Sequence, residues 1–145
     1  MAFAPDLSRF FVAQQQCWDR VLAELCEGRK RSHWMWFVFP QIAGLGHSAT
    51  ARHYAIADLA EARAWLRHPL LGARLREAVE ALLPWQDSRT AEAIFGGVDA
   101  MKLRSSMTLF ERAAREEGLD PAPFVAMLEG FHAGERDPAT LSRLG

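Results

Sequence analysis

HWMWFVFPQIAGLGHSATARHY, residues 33–54, holds two of the five Trp, two of the nine Phe, three of the five His and the only Tyr. Its first part, His33 to Phe39, is apolar on every face. Periodicity alone does not separate a buried strand from a buried helix in such a run. No alternating strand of convincing length occurs elsewhere to pair with it, and its neighbours are helical, so one or two helical turns are expected. Pro40 ends the segment, because the residue before a proline is pushed out of the helical region. Gln41 and Ile42 lead into a turn at Gly44-Leu45-Gly46. Ser48 then suits the N-cap of a helix running through Tyr54. Once this stretch is read as helix, turn and helix, nothing in the chain calls for a sheet.

Upstream, Asp6 suits the cap of a helix to about Glu27, with Phe11, Gln14, Trp18, Leu22 and Leu25 at three- and four-residue steps. Gly28 is its natural stop. Arg29, Lys30 and Arg31 read as a solvated connector, and Ser32 as the cap of the aromatic segment. Downstream, Asp58 and Glu61 read as a capping box for a helix over Leu59 to Leu66. Pro69 suits the first position of a helix with Leu71, Leu75, Val79 and Leu82 on one face, stopped by Pro84. Thr90 opens a short helix to Phe95, broken by Gly96-Gly97. Asp99 is read as the cap of a long helix to about Glu117, with Leu103, Met107, Phe110 and Ala114 on its buried stripe. Asp120-Pro121 starts a helix carrying Phe124, Met127, Leu128 and Phe131. Gly134 to Asp137 is a turn, and Pro138 opens a last helix to Leu144. The expected fold is all-α, a compact single domain over residues 1–145 with seven to nine short helices arranged around residues 33–54. Trp18, Trp34, Phe37, Leu75, Phe110 and Phe124 are the expected core.

At 145 residues and half apolar, the chain suits one ordered globule with a core that needs neither disulfides nor metal. Its 17 basic and 18 acidic residues, net charge −1, argue against nucleic acid as a partner of the whole chain. The start, MAFAPDLSRFF, has no charged region followed by an apolar run, so no signal peptide is read. The apolar run from Trp34 to Pro40 is far too short to span a bilayer, so no membrane partner is expected. Cys17 and Cys26, placed on one helix, are about 13 Å apart on roughly opposite faces. They cannot pair, which suits a reducing cytoplasm. Neither lies in a zinc-ligand spacing, so no metal or other cofactor is expected.

Three places suit chemistry. The first is the turn into Ser48, where unpaired N–H groups at a helix start favour an anion and Arg52 lies one turn on. The glycines match neither a P-loop nor a dinucleotide fingerprint, and a plain turn and cap explains them as well. The second is the histidine set His33, His47 and His53 beside Trp34, Trp36 and Tyr54. Imidazole is an acid, base or donor near neutral pH. His33 and His47 are therefore the candidate catalytic residues, His33 for proton transfer, with apolar neighbours expected to shift its pKa. The third is Lys102-Leu103-Arg104-Ser105-Ser106-Met107-Thr108. Hydroxyl residues are mediocre inside helices. Here they either permit close helix packing or, with Lys102 and Arg104, form an anion-binding wall.

The stretches HWMWFVFPQIAGLGHS, HPLLGARLREAVEALL and IFGGVDAMKLRSSMTLF, in that order, resemble the bacterial family called domain of unknown function 1810. The resemblance runs from about Leu7 to Leu144. It implies a mainly helical fold, no established activity or cofactor, and no catalytic residue to carry over. Some members carry a calpastatin label. Such inhibitors are extended and disordered when free, whereas this chain is apolar and capped throughout.

The functional expectation is a cleft in which the Gly44–Arg52 turn and the Lys102–Thr108 helix meet, walled by aromatics from Trp34 to Phe39. It would bind a small anionic molecule, nucleotide- or phosphate-like, through Trp34, Trp36, Gln41, Ser48, Arg52, Tyr54, Lys102, Arg104, Ser105 and Thr108. Catalysis and oligomeric state stay open. The alternative is a protein-interaction module presenting Trp34, Trp36 and Phe39 as a surface, since Trp is enriched at interface hot spots.

Overall fold

A computed structural model describes residues 5–145, so the first four residues of the segment read as lacking a leader lie outside it. The described residues fold into ten α-helices, somewhat more than the seven to nine expected. In chain order they are α1 Ser8–Gln15, α2 Trp18–Glu27, α3 Met35–Val38, α4 Ala49–His53 and α5 Leu59–Arg67, then α6 Pro69–Leu82, α7 Ala91–Phe95, α8 Gly97–Glu117, α9 Ala122–His132 and α10 Pro138–Leu144. A single 3-10 turn, Leu83–Trp85, follows α6. Among the described residues the β-type pairing is one isolated parallel bridge, Ile42 with Ile56. No described helix is long and apolar enough to cross a membrane.

Many boundaries follow local chemistry. Ser48, Asp58 and Thr90 accept the backbone N–H three residues on, as N-caps do. His68 caps α6 through Nδ1, which accepts from the N–H groups of Leu70 and Leu71, just after Pro69. Gly28 ends α2 at φ 71°, a left-handed conformation that suits glycine.

Five readings are corrected. The first helix is two: Cys17, at φ −145°, breaks the run and leads α2. The buried positions Phe10, Gln14, Trp18, Val21 and Leu25 keep helical phase across the break, so periodicity gives no sign of it. Phe11, placed on the stripe, is only half-buried. Asp99 lies inside the first turn of α8, whose N-cap is Gly96, and pairs with Lys30 at 3.0 Å. Ser32 does not cap α3; its backbone and hydroxyl both bond Glu24. Phe37, an expected core residue, is half-buried, while Trp18, Trp34, Leu75, Phe110 and Phe124 are buried as expected.

The centre is also elsewhere. α8 is buried without interruption from Ser105 to Glu111 and is packed by α5, α7, α9 and α10. A helix buried on every face is an axis, with the others around it. The aromatic segment forms one flank, where α3 packs on α1. Trp34 and Phe39 from that flank join the core beside Phe95 of α7.

Candidate functional site

The site forms where the aromatic flank meets α8. Pro40 ends α3 and turns the chain back. The returning segment is clasped to the residues after α4: the Ile56 N–H donates to the Gln41 carbonyl at 2.9 Å, and the Ala43 N–H donates to the Ile56 carbonyl at 2.8 Å. This clasp holds the end of α3, the glycine turn and α4 against each other. Between them lies a cavity of ≈ 20 Å³, lined by residues that include Trp36, Gln41, Gly46, Tyr54 and Lys102. That volume suits about one water molecule. The Trp36 indole N–H is buried with no hydrogen-bond partner. A buried donor left unpaired costs about 1–3 kcal/mol. Lys102 Nζ lies 5.2 Å from the centroid of the Trp36 ring. Its nearest carboxylate, Asp99, is 3.7 Å away and already engaged by Lys30. An ammonium carries three donors, so beyond this pair Lys102 keeps donors to spare.

A larger cleft of ≈ 380 Å³ adjoins this cavity and shares Gln41, Gly46 and Lys102 with it. Its other walls are Leu45 from the turn, Val98, Met101, Arg104 and Ser105 from α8, and Asp137 and Ala139 at the start of α10. Val98, Met101 and Ser105 follow one another at three- and four-residue steps, a single line along α8. Val98 and Met101 are 70% and 68% exposed, large apolar side chains open to the cleft mouth.

The rear of the cleft is closed by a bonded cluster. Asp137 accepts from the hydroxyls of Ser105 at 2.7 Å and Thr140 at 2.6 Å, while its backbone N–H donates to Thr108 Oγ at 3.0 Å. Arg104 stands 3.6 Å from Asp137 and 3.7 Å from Glu135. Burial by itself would raise the Asp137 pKa. The Thr140 and Ser105 hydroxyls and the Arg104 charge outweigh it and hold the carboxyl below its usual range. The hydroxyl-rich patch of α8 thus fastens α10 to the axis.

The residues singled out from sequence fall into separate groups. Trp36, Gln41, Tyr54 and Lys102 share the cavity; Gln41, Lys102, Arg104 and Ser105 share the cleft. The glycine turn and the Lys102–Ser105 segment of α8 do meet. Thr108 is engaged with Asp137 and the Arg104 carbonyl. Trp34 is 1% exposed and donates to Glu24 at 2.9 Å, so it belongs to the core. Phe39 is equally buried, so the surface of Trp34, Trp36 and Phe39 imagined for a protein partner does not form. Ser48, His47 and Arg52 are exposed and line neither space; the Ser48 hydroxyl caps α4. His33 is exposed rather than walled by apolar groups. It lines a separate open groove with His53, Arg20 and Arg9, whose guanidinium is taken up by Glu61 and the carbonyls of His53 and Ala55. Among the described residues no group of three or more His, Cys, Asp or Glu is placed to hold a metal ion.

Sequence reasoning missed Val98, Met101 and Asp137. Val98 and Met101 carried a signal, being apolar residues out of phase with the buried stripe of Leu103, Met107 and Phe110. Asp137 carried none, because it lies 32 residues from Ser105.

Residues 4–144 match the family described as "Protein of unknown function (DUF1810)". Among solved structures the chain is similar to the conserved hypothetical protein Rv1873 from Mycobacterium tuberculosis, with 47% sequence identity and a TM-score of 0.90 over 96% of each chain. No curated protein matches it.

Proposed function

Since the chain belongs to the DUF1810 family, whose function is unknown, its role must be read from its own geometry, and we propose that it binds a small anionic ligand in the cleft between the glycine turn and α8. One observation carries this reading. Trp36, whose buried N–H has no partner, lines the small cavity together with Lys102 and Gln41. Trp donates and never accepts; Lys carries three donors and no acceptor. Together they ask for an oxygen with excess negative charge. The adjoining cleft is of a size that suits small ligands, which occupy about 300–1,000 Å³. It combines apolar walls with a few polar groups, as such sites do. The clasp between the Gln41–Ala43 segment and Ile56 fixes the backbone of one wall before any ligand arrives, which lowers the ordering needed on binding.

The test is a thermal-shift screen of the purified chain against small anions: carboxylates, inorganic phosphate, nucleotides and sugar phosphates. A ligand at 100 times its Kd stabilises the fold by about 2.7 kcal/mol. At least one class of anion is expected to raise the melting temperature of the native chain. The effect should shrink in Lys102→Ala and in Trp36→Phe, which keeps the ring and removes the donor. A melting temperature that no anion moves would overturn the reading.

A further inference from the structure

The shape of the two joined spaces narrows the ligand class, and we propose that the site takes a carboxylate bearing an apolar tail, of the medium-chain fatty acid type. The proposal rests on the anion-site reading above. The small cavity, at ≈ 20 Å³, admits about one oxygen-sized group, so only one atom of an anionic head enters it. A carboxylate suits that end: one oxygen enters beside the Trp36 indole, and the single charge lies near Lys102. The outer cleft is built for something else. Its α8 wall is Val98 and Met101, the two most exposed large apolar side chains among the described residues, and Leu45 and Ala139 face the same space.

A methionine and a valine at a cleft mouth favour an apolar body, and the flexible thioether of methionine adapts to its contour. A nucleotide meets the opposite conditions. Its several phosphate charges would face the Asp137 carboxylate, and Arg104, the cation on that side, is already shared between Asp137 and Glu135. Base stacking would need an aromatic face, yet Val98, Met101, Leu45 and Ala139 supply none. The arrangement therefore separates a one-charge polar end from an aliphatic end, as in the proposed ligand.

The experiment is NMR of the full chain, with methionine methyl groups labelled and indole N–H signals recorded. Octanoate, acetate, 1-octanol, AMP and inorganic phosphate are titrated separately. Met101 is assigned with Met101→Leu and Trp36 with Trp36→Phe. Octanoate is expected to move both the Met101 methyl and the Trp36 N–H signals. It should bind at least about tenfold tighter than acetate, because each buried methylene adds affinity. Lys102→Met and Trp36→Phe should each weaken octanoate about tenfold or more. Trp36→Phe keeps the test decisive if the lysine variant is unstable. Binding of AMP or phosphate that depends on Lys102, with octanoate silent, overturns the tailed-carboxylate inference and leaves the anion site standing. Octanol binding as tightly as octanoate overturns both, as does a set of probes that leaves the two signals in place.

Discussion

Glu24 carries a charge into the interior for a reason that its neighbours make plain. It sits on α2 at 5% exposure and receives four hydrogen bonds: from the N–H groups of Arg31 and Ser32, the Ser32 hydroxyl and the Trp34 indole. These bonds shape the connector between α2 and α3 and fix the rotation of Trp34. Burial acts to raise the Glu24 pKa, but the bonds from Ser32, Arg31 and Trp34 prevail and lower it from 4.5 to about 2. A carboxyl depressed in the folded state contributes stability above its unfolded pKa and loses it as pH falls through the folded one. Stability of the native chain should therefore drop as pH is lowered from 4.5 towards 2. Glu24→Gln should cost about 1–3 kcal/mol at neutral pH, since it removes charge from donors that remain buried. It should also flatten the acid limb over that window. Urea unfolding of both proteins across the pH range checks the two effects together. The sequence offered no sign of Glu24's partners. A glutamate on an amphipathic helix looks solvated until the connector folds back over it.

The turn before α4 shows how helices constrain a loop. Gly44 has φ 99°, and its carbonyl accepts from Arg143 of α10 at 3.3 Å. A Cβ at Gly44 would collide with the Arg143 guanidinium. Gly44→Ala should thus suffer twice, from backbone strain of about 1–3 kcal/mol and from displacement of Arg143. Arg143→Ala alone removes an exposed contact and should cost less than about 1 kcal/mol. The double variant should stay destabilised, because removing Arg143 clears the collision and leaves the φ unchanged. Denaturation midpoints of the three variants separate strain from contact. The glycines were legible as a turn from the sequence, through the breakers on either side. That α10 reaches across 99 residues to brace them was not. The break between α1 and α2 was hidden for a related reason. Both halves bury one continuous stripe, so the apolar pattern of a bent pair equals that of a straight helix.

One apolar core runs from Leu7 to Leu128 and takes side chains from α1 to α3 and from α5 to α9. With one core, the chain should unfold in a single cooperative step. Urea midpoints from Trp fluorescence and from far-UV circular dichroism should coincide; two separate midpoints would divide the chain into independent units. The all-helical character of this core was readable in advance, because caps, prolines and glycines act within about four residues of a helix end and do so wherever the chain lies. Ser48, Asp58, Thr90 and Pro69 all acted in that way. Which polar groups meet is a different kind of question. Trp36 and Lys102, Ser105 and Asp137, and Glu24 and Trp34 come together only when helices pack, and packing depends on the shapes of many side chains at once. Local sequence therefore determined the helices and the turn, and the docking of the aromatic flank against α8 decided that Trp36, Gln41 and Lys102 share a cavity while His33, His47 and Arg52 face solvent.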